Sequence, residues 1–178
     1  DYCGSPVLQE LPPTVCIPTT AGTGSETTKS SVITNQKTSV KMLISDPKMM
    51  TTMAIVDPLF TITVPKDVTV ATGIDALTHA VEAYTSKKAC QLSDIQCISA
   101  VRRILANIRT VCINGTDKKA RSQMAIASFE AGIALNNSSV TLVHGMSRPI
   151  GAMFHVPHGA SNAMLLARSL DFVRPEAA

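Results

Sequence analysis

The sequence predicts an α/β segment followed by an all-helical one. Residues 1–65 hold short, β-branched apolar runs closed by Pro and Asp-Pro turns, which is the pattern of strands. From Lys66 onward, apolar residues recur at helical spacing. Strands therefore come first and helices follow, with no internal repeat and no low-complexity segment. The 178 residues are 45% hydrophobic, enough for one packed domain or two small lobes. Aromatics make up only 3% and Trp is absent, so the core must rest on Ile, Val, Leu, Met and Ala.

Residues 1–13 end in Leu11, Pro12 and Pro13 and read as a linker entering a strand. Residues 14–17 (Thr-Val-Cys-Ile) suit a buried strand, which Pro18 ends. Residues 19–26 form a loop of small residues and hydroxyls. Residues 32–34 and 40–44 flank a polar tip, as in a β-hairpin. Residues 53–56 are a second buried strand, closed by Asp57 and Pro58. The first helix spans residues 66–85, with Val68, Ala71, Ala76, Ala80 and Ala83 in register. The second spans 92–111, with an apolar series of Ile95, Ile98, Val101, Leu105 and Ile108. The third covers 117–135, with Asp117 as its N-cap, and residues 136–139 break it. A fourth runs from 140 and stops at Pro149, and a last one spans 159–172.

A net charge of +3 with scattered Lys and Arg gives no reason to expect nucleic acid. No apolar run reaches membrane-spanning length, and no signal segment opens the chain. Cys3, Cys16, Cys90, Cys97 and Cys112 are odd in number and form no Cys-x-x-Cys pair. They read as reduced thiols of a cytoplasmic protein. Arg102 and Arg103 read as a solvated helix face.

Three of the four histidines, His144, His155 and His158, lie within one short stretch. The fourth, His79, follows Asp75 by four residues, so both occupy one helix face. One carboxylate with two or three imidazoles suits iron or zinc rather than calcium or magnesium. The plain alternative is a set of ordinary core and surface histidines. Glu82, one turn beyond His79, is either an acceptor for an imidazole N–H or an exposed charge. The loop from Thr19 to Ser25 offers glycine-assisted backbone approach and hydroxyls to a phosphate or ribose, or is simply a turn. It matches neither a Walker loop nor Gly-x-Gly-x-x-Gly.

Three motifs stand in order: Pro-Thr-Thr-Ala-Gly-Thr-Gly-Ser-Glu at 18–26, Gly-Ile-Asp-Ala-Leu-Thr-His-Ala-Val-Glu-Ala-Tyr at 73–84, and His-Gly-Met to Pro-His-Gly at 144–159. Together they resemble the iron-containing (group III) alcohol dehydrogenase family, over residues 14–166. The resemblance implies a dehydroquinate-synthase-like two-domain architecture, here partial. Residues 1–65 would be the remainder of an N-terminal dinucleotide-binding α/β domain, and 66–178 part of a helical metal-binding domain. It implies Asp75, His79, His144 and His158 as ligands of Fe2+ or Zn2+. It implies Thr19, Thr20, Gly22, Thr23, Lys41 and Leu59 as contacts of NAD or NADP. The implied reaction transfers hydride between a primary or secondary alcohol and the nicotinamide by way of a metal-bound alkoxide, or returns it to an aldehyde or ketone. A homo-oligomer is the expected assembly.

Two departures from the family pattern stand out. Many members carry a second His four residues after the first of the third motif, as a proton relay. Here Arg148 occupies that position and cannot deprotonate, so His155 or solvent takes over the relay, unless His155 is merely pocket wall. Members also run to roughly twice this length. The chain opens at Asp1 without Met and is expected to lack a Gly-Gly-Gly-Ser pyrophosphate loop and several C-terminal helices. A non-catalytic metal-binding or interaction remnant, and a lyase or synthase of the wider superfamily, are the competing readings.

Overall fold

The computed structural model describes residues 6–38 and 40–176, without the side chains of Lys41 and Glu176. Two small sheets precede five helices. Strand β1 (Val15–Cys16) pairs in parallel with β4 (Met53–Ala54), Val15 opposite Met53. Strands β2 (Ser30–Asn35) and β3 (Val40–Ser45) form the expected antiparallel hairpin, with Ser30 opposite Ser45 and Asn35 opposite Val40. At its tip the Asn35 side chain accepts the backbone N–H groups of Lys37 and Thr38. That local bonding turns the chain without a glycine.

Helices α1 (Lys66–Tyr84), α2 (Gln91–Ile113) and α3 (Lys118–Asn137) pack on one another around an alanine-rich seam. Ala76, Ala80 and Ala83 of α1 meet Cys97, Ala100 and Ile104 of α2 and Met124, Ala127, Ala131 and Ala134 of α3. Small side chains let the axes approach closely, so little aromatic bulk is needed. Asp117 caps α3 as expected, its carboxylate accepting Ala120 N–H at 2.9 Å. Helices α4 (Leu142–Phe154) and α5 (His158–Val173) pack on each other, and α5 lies along α1. A Cβ at Gly159 would run into the Ala71 carbonyl, so this crossing requires glycine. Among the described residues no helix is long and apolar enough to cross a membrane.

Several expectations are corrected. β1 and β4 are not buried: Val15 is 58% and Met53 56% exposed, because this two-stranded pair has no covering layer among the described residues. The apolar series of α2 does not form one face. Val101 and Ile108 pack against the core, whereas Ile95, Ile98 and Leu105 are exposed; the fully buried side is Cys97, Ala100, Ile104 and Val111. Helix α4 continues through Pro149 to Phe154. Proline costs one backbone hydrogen bond there, and the acceptor it frees belongs to exposed Gly145, where water can replace it. Arg103 is not a simple solvated charge. Its guanidinium bonds Ser99, Gln123 and Glu130 and ties α2 to α3.

A candidate metal centre between helices α1, α4 and α5

Asp75 and His79 sit one turn apart on the buried face of α1. His144 lies in the first turn of α4, and His158 opens α5 after Pro157. The packing of α5 on α1 and α4 on α5 brings all four together. Asp75 Oδ1 lies 3.8 Å from His79 Nε2, 3.7 Å from His144 Nε2 and 3.6 Å from His158 Nε2. The His79 and His144 rings stack with centroids 4.7 Å apart, and His158 meets His144 edge-on at 5.1 Å.

The donor set fits a transition-metal cation. Edges of this length belong to a tetrahedron whose corners stand roughly 2.2–2.3 Å from its centre, close to ordinary metal–nitrogen and metal–oxygen bonds of about 2.0–2.2 Å. Asp75, His79 and His144 offer ligand atoms within 4.8 Å of one another, and all three residues are buried. Three imidazoles with one carboxylate are borderline donors, suited to iron or zinc.

Glu82 is buried and bonded, not an exposed charge. Its Oε1 accepts Val143 N–H at 2.7 Å and Thr141 O–H at 2.8 Å, and its Oε2 pairs with His144 Nδ1. The carboxylate therefore holds the Nδ1 proton and leaves the Nε2 lone pair facing the cluster. It also anchors the start of α4, where Thr141 is the N-cap.

The electrostatics favour a neutral His79 beside ionised Asp75 and Glu82. Burial pushes the His79 pKa down to about 4, partly offset by Asp75, so its ring is neutral at pH 7. Burial raises the Asp75 carboxyl, but the surrounding imidazoles outweigh it and hold the group below its ordinary range. For Glu82, burial is likewise outweighed by the bond to His144 and by Thr141 and Val143. His144 moves the other way: burial lowers its pKa, and its two carboxylate partners raise it above the ordinary value.

One further participant is not among the residues expected from the sequence. Asn162 is fully buried, one turn after His158 on α5. Its amide donates to Asp75 Oδ1 at 2.6 Å and lies 3.3 Å from both His144 Nε2 and His158 Nε2. The i, i+4 spacing from His158 was the available clue.

The cluster forms one wall of a cleft of about 750 Å3. Of the residues expected to contact a nucleotide, Thr23 lines this cleft. Gly22 is buried, with no room for a Cβ beside Thr72, which seats the loop on α1. Thr19 and Leu59 are exposed, Thr20 is half-buried, and none of these three lines the cleft. The Lys41 side chain lies outside the described part of the structure. Arg148 lines the cleft one turn beyond His144. His155 is exposed at a left-handed position (φ 55°) ending α4 and is not part of the cleft lining.

Comparison with known proteins agrees with this architecture. The family pattern described as "Fe-containing alcohol dehydrogenase family, C-terminal" matches residues 69–178, and "Iron-containing alcohol dehydrogenase" matches 1–58. The chain is 46% identical over 162 residues to long-chain-alcohol dehydrogenase 1 of Geobacillus thermodenitrificans, covering 91% of this chain and 40% of that protein. It is 46% identical over 166 residues to 1,3-propanediol dehydrogenase of Citrobacter freundii, covering 93% and 43%. Among solved structures, a 1,3-propanediol oxidoreductase superposes with a TM-score of 0.92 at 42% identity, over 96% of this chain and 45% of that one. Sulfoacetaldehyde reductase from Bifidobacterium kashiwanohense, solved with NAD+, gives 0.89 at 32% identity, over 97% and 46%. The chain thus spans less than half the length of these relatives. Its motifs, its fold and the span of these matches agree: the chain belongs to the iron-containing alcohol dehydrogenase family.

Proposed function

We propose that this chain carries the metal- and substrate-binding part of an NAD-dependent alcohol dehydrogenase, with Asp75, His79, His144 and His158 as ligands of a divalent iron. The observation that carries this reading is the convergence of three imidazole Nε2 atoms on one buried carboxylate oxygen, with Glu82 holding the His144 proton on the far side. The family's name supports iron, and NAD+ accompanies one of the similar structures. When bound, such a cation supplies Lewis acidity, which makes an alcohol hydroxyl more acidic and a carbonyl more electrophilic.

The chain's own residues supply placement. Glu82 and Asn162 hold the ligand side chains in fixed orientation, so less ordering is needed at the moment of reaction. The buried Asp75, His79 and His144 exclude water from the inner side of the site, while His158, on the open side, faces the substrate. In this reading residues 1–65 belong to the cofactor-binding domain and residues 66–178 to the metal-binding one. Thr19, Thr20, Gly22, Thr23, Lys41 and Leu59 border the nicotinamide path; the Gly22 backbone approaches the His79 ring and Thr23 lines the cleft. The substrate is a small alcohol or the corresponding aldehyde or ketone.

Metal analysis after anaerobic purification tests the assignment. About one equivalent of iron or zinc, lost in an Asp75→Ala, His158→Ala double variant, is expected. No metal in either protein would refute it. Metal binding without any NAD(H) binding would instead favour a non-catalytic metal-binding protein of this family.

A further inference from the structure

Resting on the reading above, we propose that the cleft takes a short alcohol or aldehyde that also carries an oxyanion group, and that Arg148 anchors that group. Arg148 follows His144 by four residues on α4, so the two share a face, roughly 6 Å apart along the helix axis. Both line the same cleft. Among the described residues the Arg148 guanidinium has no hydrogen bond and no ion pair.

The rest of the lining agrees in sign. Lys29 and Lys88 also border the cleft, and their ammonium groups have no carboxylate partner among the described residues. Asp75 is the one carboxylate among the described lining residues, and its Oδ1 is already taken by Asn162 and the imidazoles. Three cationic residues therefore line the cleft beside one committed carboxylate. The Ser25 hydroxyl accepts Thr23 O–H and keeps its own proton, which adds one uncharged donor to the wall. Such a wall attracts an anion and gives it a forked, planar partner in arginine. Carboxylate, sulfonate and phosphate esters share the required chemistry.

The test compares two ligands of equal chain length, 4-hydroxybutanoate and 1,4-butanediol, by calorimetry on the metal-loaded chain. The hydroxy acid is expected to bind at least tenfold more tightly, and added salt should shrink the difference. Arg148→Gln should collapse the ratio by roughly ten- to a hundredfold, and Arg148→Lys should recover part of it. Equal affinity for the two ligands, or an unaltered ratio in Arg148→Gln, overturns the proposal. So does a fall in NADH affinity in Arg148→Gln with the ratio intact, which would assign the cation to the cofactor. If neither ligand binds in a metal-dependent way, the dehydrogenase reading fails and takes this proposal with it.

Discussion

Replacing Glu82 by Gln tests whether a buried carboxylate sets the metal affinity. The change keeps size and shape but removes the charge. If the Gln oxygen stays with Val143 N–H and Thr141 O–H, its NH2 group faces His144 Nδ1. His144 must then accept at Nδ1 and carry its proton on Nε2, where the lone pair for a metal should be. If the amide flips instead, two acceptor bonds at the start of α4 are lost. Either outcome removes one or two charge-assisted bonds worth about 1.5–3 kcal/mol each. We expect metal affinity to fall about 10–100-fold, as for other outer partners of ligating histidines. Unfolding free energy of the metal-free chain should drop by about 2–4 kcal/mol. Competition with a chromogenic chelator measures the first quantity and urea unfolding the second. An affinity within threefold of the parent, with full stability, would refute the claim that Glu82 orients His144.

Other predictions follow from single contacts. Arg121 is buried without a carboxylate partner among the described residues and bonds Gly115 C=O at 2.7 Å, Thr69 Oγ1 at 2.9 Å and Val64 C=O at 3.3 Å. Arg121→Met should cost about 3 kcal/mol in chemical denaturation, since it strands those acceptors; a loss below 1 kcal/mol would contradict this. Gly159→Ala should push α5 off α1 and carry His158 with it, lowering Tm and at least halving bound metal; parent-like metal content would count against the tight crossing. Glu26 is buried with Oε2 unpaired among the described residues, and burial raises its pKa above the unfolded value. The folded state then holds a proton that the unfolded state has released, so Glu26 lowers stability as pH rises through its folded pKa. Glu26→Gln should therefore be more stabilising relative to the parent at pH 8 than at pH 4.5 in urea unfolding, and an equal stability difference from the parent at both pH values would refute the sign.

Local patterns in the chain were enough to mark the hairpin, all five helices and the Asp117 cap, because each depends on neighbours a few residues away. Asp75 and His79 were legible together for the same reason: one helical turn places them on one face. The fate of the apolar residues was not legible. Ile95 and Val101 look alike in the sequence, yet one is exposed and the other packed, since helix rotation is set by the alanine seam against α1 and α3. Pro149 looked like a stop because its cost is local; the helix continues because the orphaned acceptor faces solvent.

By itself, then, the sequence determined the order of strands and helices, and its resemblance to the family implied the four side chains that the structure brings together. Only the tertiary structure decided what surrounds them. It put Glu82 against His144, which α1 and α4 bring together from 62 positions apart, and it put Asn162 against Asp75 from 87 positions apart. It also turned His155 out to solvent and left Arg148 facing the cleft. Spacing encodes which residues share a helix face, whereas helix crossings choose which faces meet, and those crossings depend on close-packed positions such as Gly159 and Ala71.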